Sequence, residues 1–385
     1  MKIAISGCGI AGTATAILLA RDGHDVHIFE QAAECKPVGA GFMLQLPGQL
    51  FLKKLGIHDE VIGKSAKLDG LWAKQPSGKT LVRLRYDWLG DQHIGYGIHR
   101  GILFQALHDL CLKEGVKITT NFRAVETDYS STAKASLTNE RDERFDGFDF
   151  VIGADGSRSA MREHMGLTKY IIDYGFAALW CTGPCDYQPG ALVQVVRGTE
   201  DLIGLLPIGN GHSSFFYGLR VTDHTAVISQ PIEQWKAKVM ELCADASSML
   251  DTIQSFDDLT YARYQHVVTK SAHRDHVILL GDAAHATSPH LGQGVSLALE
   301  DADCFATSLR ETGDFVIACR SFSKQRSWKV SYYQKLTMLL TPFFQSDSPA
   351  RRILRDTFLP WFPHIPGVKH EMVRTLRGTK AGWTG

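Results

Sequence analysis

KIAISGCGIAGTATAILLARDGHDVHIFE, running from Lys2 to Glu30, is the stretch that decides the fold. Its apolar start predicts a strand over Lys2 to Ser6. A glycine-rich turn follows, then a helix over Ala11 to Arg21 ending near Gly23, and a second strand over Asp25 to Phe29 that closes on Glu30. This is the order of a βαβ unit built to hold a dinucleotide. Gly7 permits the tight turn, Gly9 lets a pyrophosphate approach the backbone, and Gly12 lets helix and strand pack closely, while the helix N-terminus faces the anion. Glu30 stands where a carboxylate accepts both hydroxyls of an unphosphorylated ribose. A GxGxxG alone is a weak signal, and a structural turn with a surface glutamate is the competing reading; the flanking strand, helix and acid favour the nucleotide. The motif does not choose among dinucleotides.

Working outward, the chain of 385 residues is 44% hydrophobic and 21% charged, an ordinary globular composition with room for two packed domains. Lysine plus arginine balance aspartate plus glutamate at 41 each, so no global field draws nucleic acid or anionic lipid, and a small-molecule partner is expected. The eight cysteines are scattered. Their one close pair, Cys181 and Cys185, lacks metal-type spacing, so no metal is expected and the thiols read as reduced, in the cytoplasm. The first strand is needed by the turn that follows it and is poor material for a cleaved signal. No stretch is long and apolar enough to cross a bilayer.

Three later segments carry further chemistry. VIGADGSRSAMR, Val151 to Arg162, is an apolar strand leading into an Asp155-Gly156 turn with Arg158 and Arg162 behind it; such a turn offers backbone donors, and guanidinium groups offer bidentate phosphate contacts. GDAAHATSPHLGQGVSLALEDA, Gly281 to Ala302, follows the strand Val277 to Leu280 and reads as a loop holding Pro289, Gly292 and Gly294, then a helix over Val295 to Leu309. GIHRGILFQAL, Gly97 to Leu107, opens a helix at Arg100.

In these segments, and along most of its length, the chain resembles the single-component FAD-dependent aromatic hydroxylases, the superfamily of p-hydroxybenzoate, salicylate and ubiquinone-pathway hydroxylases. The resemblance implies FAD as cofactor, held by Gly7, Gly9, Ala11, Gly12 and Glu30, with Gly41 in the GAGF turn near the adenosine and flavin edge. It implies that Arg100 reaches the FAD phosphates and ribityl region, that Asp282 bonds the ribityl chain, and that the Pro289 to Gly294 loop passes the isoalloxazine ring. Gly292, Gln293, Gly294 and Val295 then stand at the ring, where amides at a helix start stabilise the charge of reduced flavin. Asp155, Gly156 and Arg162 match the motif linked to flavin pyrophosphate and nicotinamide binding. Two positions depart from the pattern: Ser296 stands where many relatives carry asparagine, and Gln31 where arginine is common.

The expected architecture is α/β: a discontinuous, Rossmann-like FAD-binding domain (1–67, 99–173, 271–311), an inserted β-rich substrate domain (68–98, 174–270) and a C-terminal helical region (312–385). Strands are predicted at Ala191 to Val196, Asp201 to Leu206 and Ser213 to Leu219, with a helix over Ile232 to Leu242. The implied reaction uses NADH or NADPH and O2 to hydroxylate an aromatic molecule through a flavin hydroperoxide. The strand placed over the ring supplies Leu202, Leu205, Leu206 and Pro207 and no ionisable group, which suggests an apolar, polycyclic or quinolone-like substrate. His290, beside Pro289, is the first candidate base and Tyr217 a second. A flavin-dependent epoxidase or halogenase, a geranylgeranyl-reductase-like enzyme and a non-catalytic FAD-binding protein are the rival readings. The aromatic tail either packs across the two domains or touches membrane, and the chain is expected to be a monomer or homodimer.

Overall fold

The computed structural model describes residues 1–36, 39–90, 93–129 and 134–383. The remaining residues, which fall within the domain ranges expected above, lie outside the described set.

The opening strand Lys2–Ser6 sits inside a six-stranded sheet, between Phe150–Gly153 and Asp25–Phe29. Both neighbours run parallel to it, as do Lys117–Thr119 and Val277–Leu279 further out. Parallel strands need covered faces, and both are covered. Helices Ile10–Arg21, Arg100–Lys113 and Gly294–Thr312 pack on one side around Ile5, Leu107 and Phe305. On the other side a three-stranded antiparallel sheet buries Phe29, Phe122 and Phe148. The glycines do what close approach demands. A Cβ on Gly12 would lie 2.0 Å from the Gly7 carbonyl oxygen, and one on Gly7, at φ +106°, would lie 2.5 Å from that of Ala154.

A seven-stranded sheet forms the second layer, ordered Thr260–Thr269, Thr168–Pro184, His212–Arg220, Asp201–Gly209, Ala191–Arg197, Gly70–Lys74, Thr80–Arg85. Its pairings are antiparallel except that of Ala191–Arg197 with Gly70–Lys74. The helix Ile232–Leu242 forms where the sequence predicts it and plugs the back of this sheet with Trp235, which is fully buried against Phe215, Tyr217 and Phe256. A small sheet of Gly41–Leu44, Gly95–His99 and Ala66–Leu68 lies beside the two large ones. The boundaries expected at 67, 98 and 173 fall inside the strands Ala66–Leu68, Gly95–His99 and Thr168–Pro184, where the sequence carries no compositional break.

The tail is helical from Phe315 as the sequence suggests: Phe315–Phe344 with Pro342 inside it, then Pro349–Phe358, a short 3₁₀ segment Leu359–His364, and Val368–Arg377. Among the described residues no helix is long and apolar enough to cross a membrane.

Replacing Trp235 by alanine leaves a large void behind the second sheet. We expect a loss of about 3–5 kcal/mol in urea unfolding, with Trp235→Phe losing clearly less; equal stability of the alanine variant would show that the back layer is not required.

Candidate active site

The six-stranded sheet delivers its strands' C-terminal ends to a cavity of about 570 Å³ that the seven-stranded sheet closes from the other side. Its nucleotide end is made by Gly9, Ala11, Gly41, Arg100, Gly156 and Asp282, and its middle by Pro289, His290, Gly292, Gln293, Gly294 and Val295. Leu202, Leu206, Phe216, Trp180 and Ala262 form much of the far wall. These elements come from widely separated parts of the chain, and most of the residues expected from the sequence meet there.

Glu30 is fixed beside the cradle, its Oε2 accepting from the Cys8 amide at 2.8 Å and its Oε1 from that of Ala32 at 2.9 Å. The loop after Val277–Leu279 enters a short helix, Asp282–His285, not the extended loop expected. Behind it lies Asp301, fully buried, which accepts from the Gly281 amide at 3.0 Å, from His285 Nε2 at 2.5 Å and from Arg326 Nε at 2.7 Å. Burial opposes the Asp301 charge, but the His285 and Arg326 partners outweigh it and bring the carboxyl down to about 2. Burial likewise pushes His285 down, and Asp301 more than compensates, holding the imidazole above its ordinary range.

His290 has a defined tautomer. The Thr341 hydroxyl donates to the Thr337 carbonyl at 2.7 Å, so its oxygen accepts from Ser288, 2.7 Å away. Ser288 therefore accepts from His290 Nδ1–H at 3.0 Å, which leaves Nε2 as a lone pair, shielded from solvent and without a partner among the described residues. Burial pushes this histidine down to about 4.

Several expected residues lie elsewhere. Tyr217 and Leu205 point to the back of the seven-stranded sheet, into the Trp235 cluster, because neighbouring residues on a strand face opposite sides. Pro207 lies at a register shift and is not among the cavity residues. Arg162 is fully buried and donates to the carbonyls of Ala283 and Ser157, at 2.9 and 2.8 Å; it ties the Asp155–Gly156 turn to the Asp282 helix. Asp155 is spent on the same turn, accepting from the Met161 amide at 3.2 Å, and burial pushes its carboxyl up. Gln293 lines the cavity, but its side-chain amide donates to Leu291 and Leu376, anchoring the C-terminal helix. Sequence reasoning missed Trp180, Phe216, Tyr264 and Gln345. Tyr264 donates to Gln345 Oε1 at 2.6 Å and so clamps the tail against the wall. Of the metal-type donors, Cys8, Cys35 and His108 come within 4.8 Å of one another; the two thiols are pushed up by burial and pack with the core.

A model of the FAD binding domain family matches residues 1–312. The chain belongs to this family, that of the FAD-dependent aromatic hydroxylases. Among its relatives, 6-hydroxynicotinate 3-monooxygenase of Bordetella bronchiseptica is 28% identical over 363 residues, 87% of this chain and 90% of the relative. The 2-heptyl-3-hydroxy-4(1H)-quinolone synthase of Pseudomonas aeruginosa is 24% identical over 375 residues, 94% of this chain and 95% of the relative. In fold, Klebsiella pneumoniae HpxO, solved with FAD and uric acid, superposes with a TM-score of 0.83 at 20% identity, covering 100% of this chain and 98% of that one.

The site of this family member fits its cofactor. A Cβ on Gly9 would meet nothing within 4 Å, so the cradle stands open where a pyrophosphate approaches. The amides of Gly294, Val295 and Ser296 precede the first hydrogen bond of their helix, Leu297 to Gln293, and have no backbone partner among the described residues, so they could serve a ring oxygen or nitrogen.

Asp301→Asn removes the charge that His285 and Arg326 need, and we expect a loss of about 3–5 kcal/mol near neutral pH. The depressed Asp301 contributes stability that is present above its unfolded pKa of about 3.9 and lost as pH falls towards the folded value. The raised His285 contributes stability present below about 6.5 and lost as pH rises through its folded pKa. Denaturation across this range should therefore show the variant's deficit shrinking at both ends; a deficit independent of pH would refute the ion-pair account.

Proposed function

We propose that the chain hydroxylates an oxygenated, nitrogen-containing aromatic ring, using FAD, NADH or NADPH, and O2. The observation that carries the reading is the single cavity shared by the nucleotide cradle and an apolar, aromatic wall. Its charged side chains are Arg100 and Asp282 at the nucleotide end and the exposed Asp258 elsewhere on the lining, so the ring-binding part is met mainly by Leu202, Leu206, Phe216 and Trp180. The relatives' names point to the same class: hydroxynicotinate, an alkylated quinolone and uric acid are all oxygenated nitrogen heteroaromatics.

FAD, when bound, supplies the chemistry by which a reduced nicotinamide and O2 are turned to oxygen transfer. Gly9, Ala11 and the helix start at Ile10 take its pyrophosphate, Glu30 its ribose, and Arg100 and Asp282 the connecting chain. The amides from Gly294 to Ser296 stabilise negative charge on the ring without reorganising. The wall excludes water. His290 borders the cavity, but with Nδ1 spent on Ser288, Nε2 shielded and its conjugate acid at about 4, it is too weak and too enclosed a base to take a phenolic proton outright. The nicotinamide binds transiently at the cleft, since the sequence carries a single glycine-rich cradle.

The purified protein should be yellow, and hydroxypyridines, quinolones and aminobenzoates should be screened for stimulated NAD(P)H oxidation and O2 uptake, with a product heavier by one oxygen. Bound flavin without substrate-stimulated oxygen consumption would move the reading to a reductase or to a non-catalytic flavoprotein. Gly9→Val places its side chain in open cleft, so we expect a folded protein, unchanged in circular dichroism, that no longer retains FAD; full flavin retention would remove the cradle assignment.

A further inference from the structure

The helix Pro349–Phe358 is mounted inside out. It is strongly amphipathic, yet Ile353, Leu354 and Phe358 are exposed, at 60%, 48% and 54%. The residues turned inward are charged ones, Arg355 and Asp356. Arg355 is 3% exposed, donates to the Phe343 carbonyl at 2.9 Å and to Asp356 at 2.7 Å, and its guanidinium stands 5.8 Å over the Phe344 ring. Asp356 is held in turn by Gln75. The apolar surface continues into the following turn with Trp361, Phe362 and Ile365, exposed at 67%, 43% and 46%. Exposed apolar side chains are ordinary when scattered; six of them within thirteen residues of two consecutive elements, beside an inward-turned Arg355–Asp356 pair, mark a contact surface.

Charge says what covers it. Although the whole chain is neutral, residues 349–370 carry four basic side chains, Arg351, Arg352, Arg355 and Lys369, against one acid, Asp356. That acid is taken up by Arg355 and Gln75. Arg351 and Arg352 are exposed, and among the described residues neither is part of an ion pair. A second copy docked on this face about a two-fold axis would bring the two arginines towards their own mates with no carboxylate from the segment to meet them. An anionic bilayer offers the opposite charge, and Trp361 is the residue type that settles at a lipid headgroup boundary.

We propose that the face formed by residues 350–365 is a peripheral docking surface for anionic membranes, independent of the reaction proposed above. The apolar side chains enter the headgroup boundary and Arg351 and Arg352 bind lipid phosphate. The surface is joined to the cavity: Phe344, beneath Arg355, lies 6.1 Å from the His290 ring, and the next residue, Gln345, lines the cavity.

The test is flotation of the full, flavin-loaded chain with vesicles of phosphatidylcholine alone or with about one third phosphatidylglycerol, at physiological salt. We expect recovery with the anionic vesicles only. Arg351→Gln with Arg352→Gln should weaken binding about thirtyfold, from about 1 kcal/mol per basic residue, and Phe358→Ser with Trp361→Ser should abolish it. All four positions are exposed, and an unchanged flavin spectrum and circular dichroism will verify folding. Equal recovery with both vesicles, no recovery at all, or indifference to the substitutions overturns the proposal. So does a drop in oligomeric mass in Phe358→Ser/Trp361→Ser without vesicle binding by the parent, which would assign the face to a second copy.

Discussion

Asp301 is a fully buried carboxylate on the helix Gly294–Thr312, and it faces three elements at once. It receives the Gly281 amide just past the strand Val277–Leu279, His285 on the short helix that presents Asp282, and Arg326 on the long tail helix. A charge in that position would be intolerable alone; the Arg326 guanidinium meets it, and it holds His285 above the ordinary imidazole range. The consequence is geometric. Strand end, Asp282 and the amides of Gly294 to Ser296 are held in one frame, and this side of the cavity is arranged by contacts made behind its wall.

The same frame explains which parts of the molecule could be read from the sequence. The strand Lys2–Ser6 and the strand Asp25–Phe29 were legible because short apolar runs broken by glycine have few other solutions, and the helices at Ile10 and Gly294 because glycine and the apolar period mark their starts. The back helix Ile232–Leu242 shows the ordinary helical period, with Trp235, Val239 and Leu242 inward. Strand parity in the second sheet was not legible. Residues 201–208 are all buried, so the strand lacks the alternation that would tell its two faces apart, and Leu205 and Tyr217 were placed on the cavity when they face Trp235. The side-chain partners of Arg162 and Gln293 were illegible for another reason. Their partners, Ala283 and Leu376, lie far along the chain, and no local pattern distinguishes an arginine that binds carbonyls from one that waits for phosphate.

What the sequence left blank on the substrate side is largely supplied by the tail. Gln345 takes the Tyr264 hydroxyl, Thr341 fixes Ser288 and through it His290, and Phe344 borders the same histidine. One helix therefore sets a tautomer, a wall and an anchor. Such contacts depend on register in three dimensions, and a run such as Thr341 to Gln345 carries no motif that would announce them.

The low pKa of His290 and the inverted helix beyond it are two results of one arrangement. Burying the imidazole against Phe344 and Tyr264 removes the water that would stabilise its cation, so the ring stays neutral. Holding Phe344 there requires the chain after it to turn back, and the turn is secured by Arg355 reaching inward to the Phe343 carbonyl. Once the arginine and Asp356 occupy the inward side, the period of the helix forces Leu354 and Phe358 outward. An apolar face at the surface is thus the geometric counterpart of a dry histidine inside. A helix with the usual orientation would bury its leucine and phenylalanine, but it would give up the guanidinium that fixes the end of the long helix at the cavity wall.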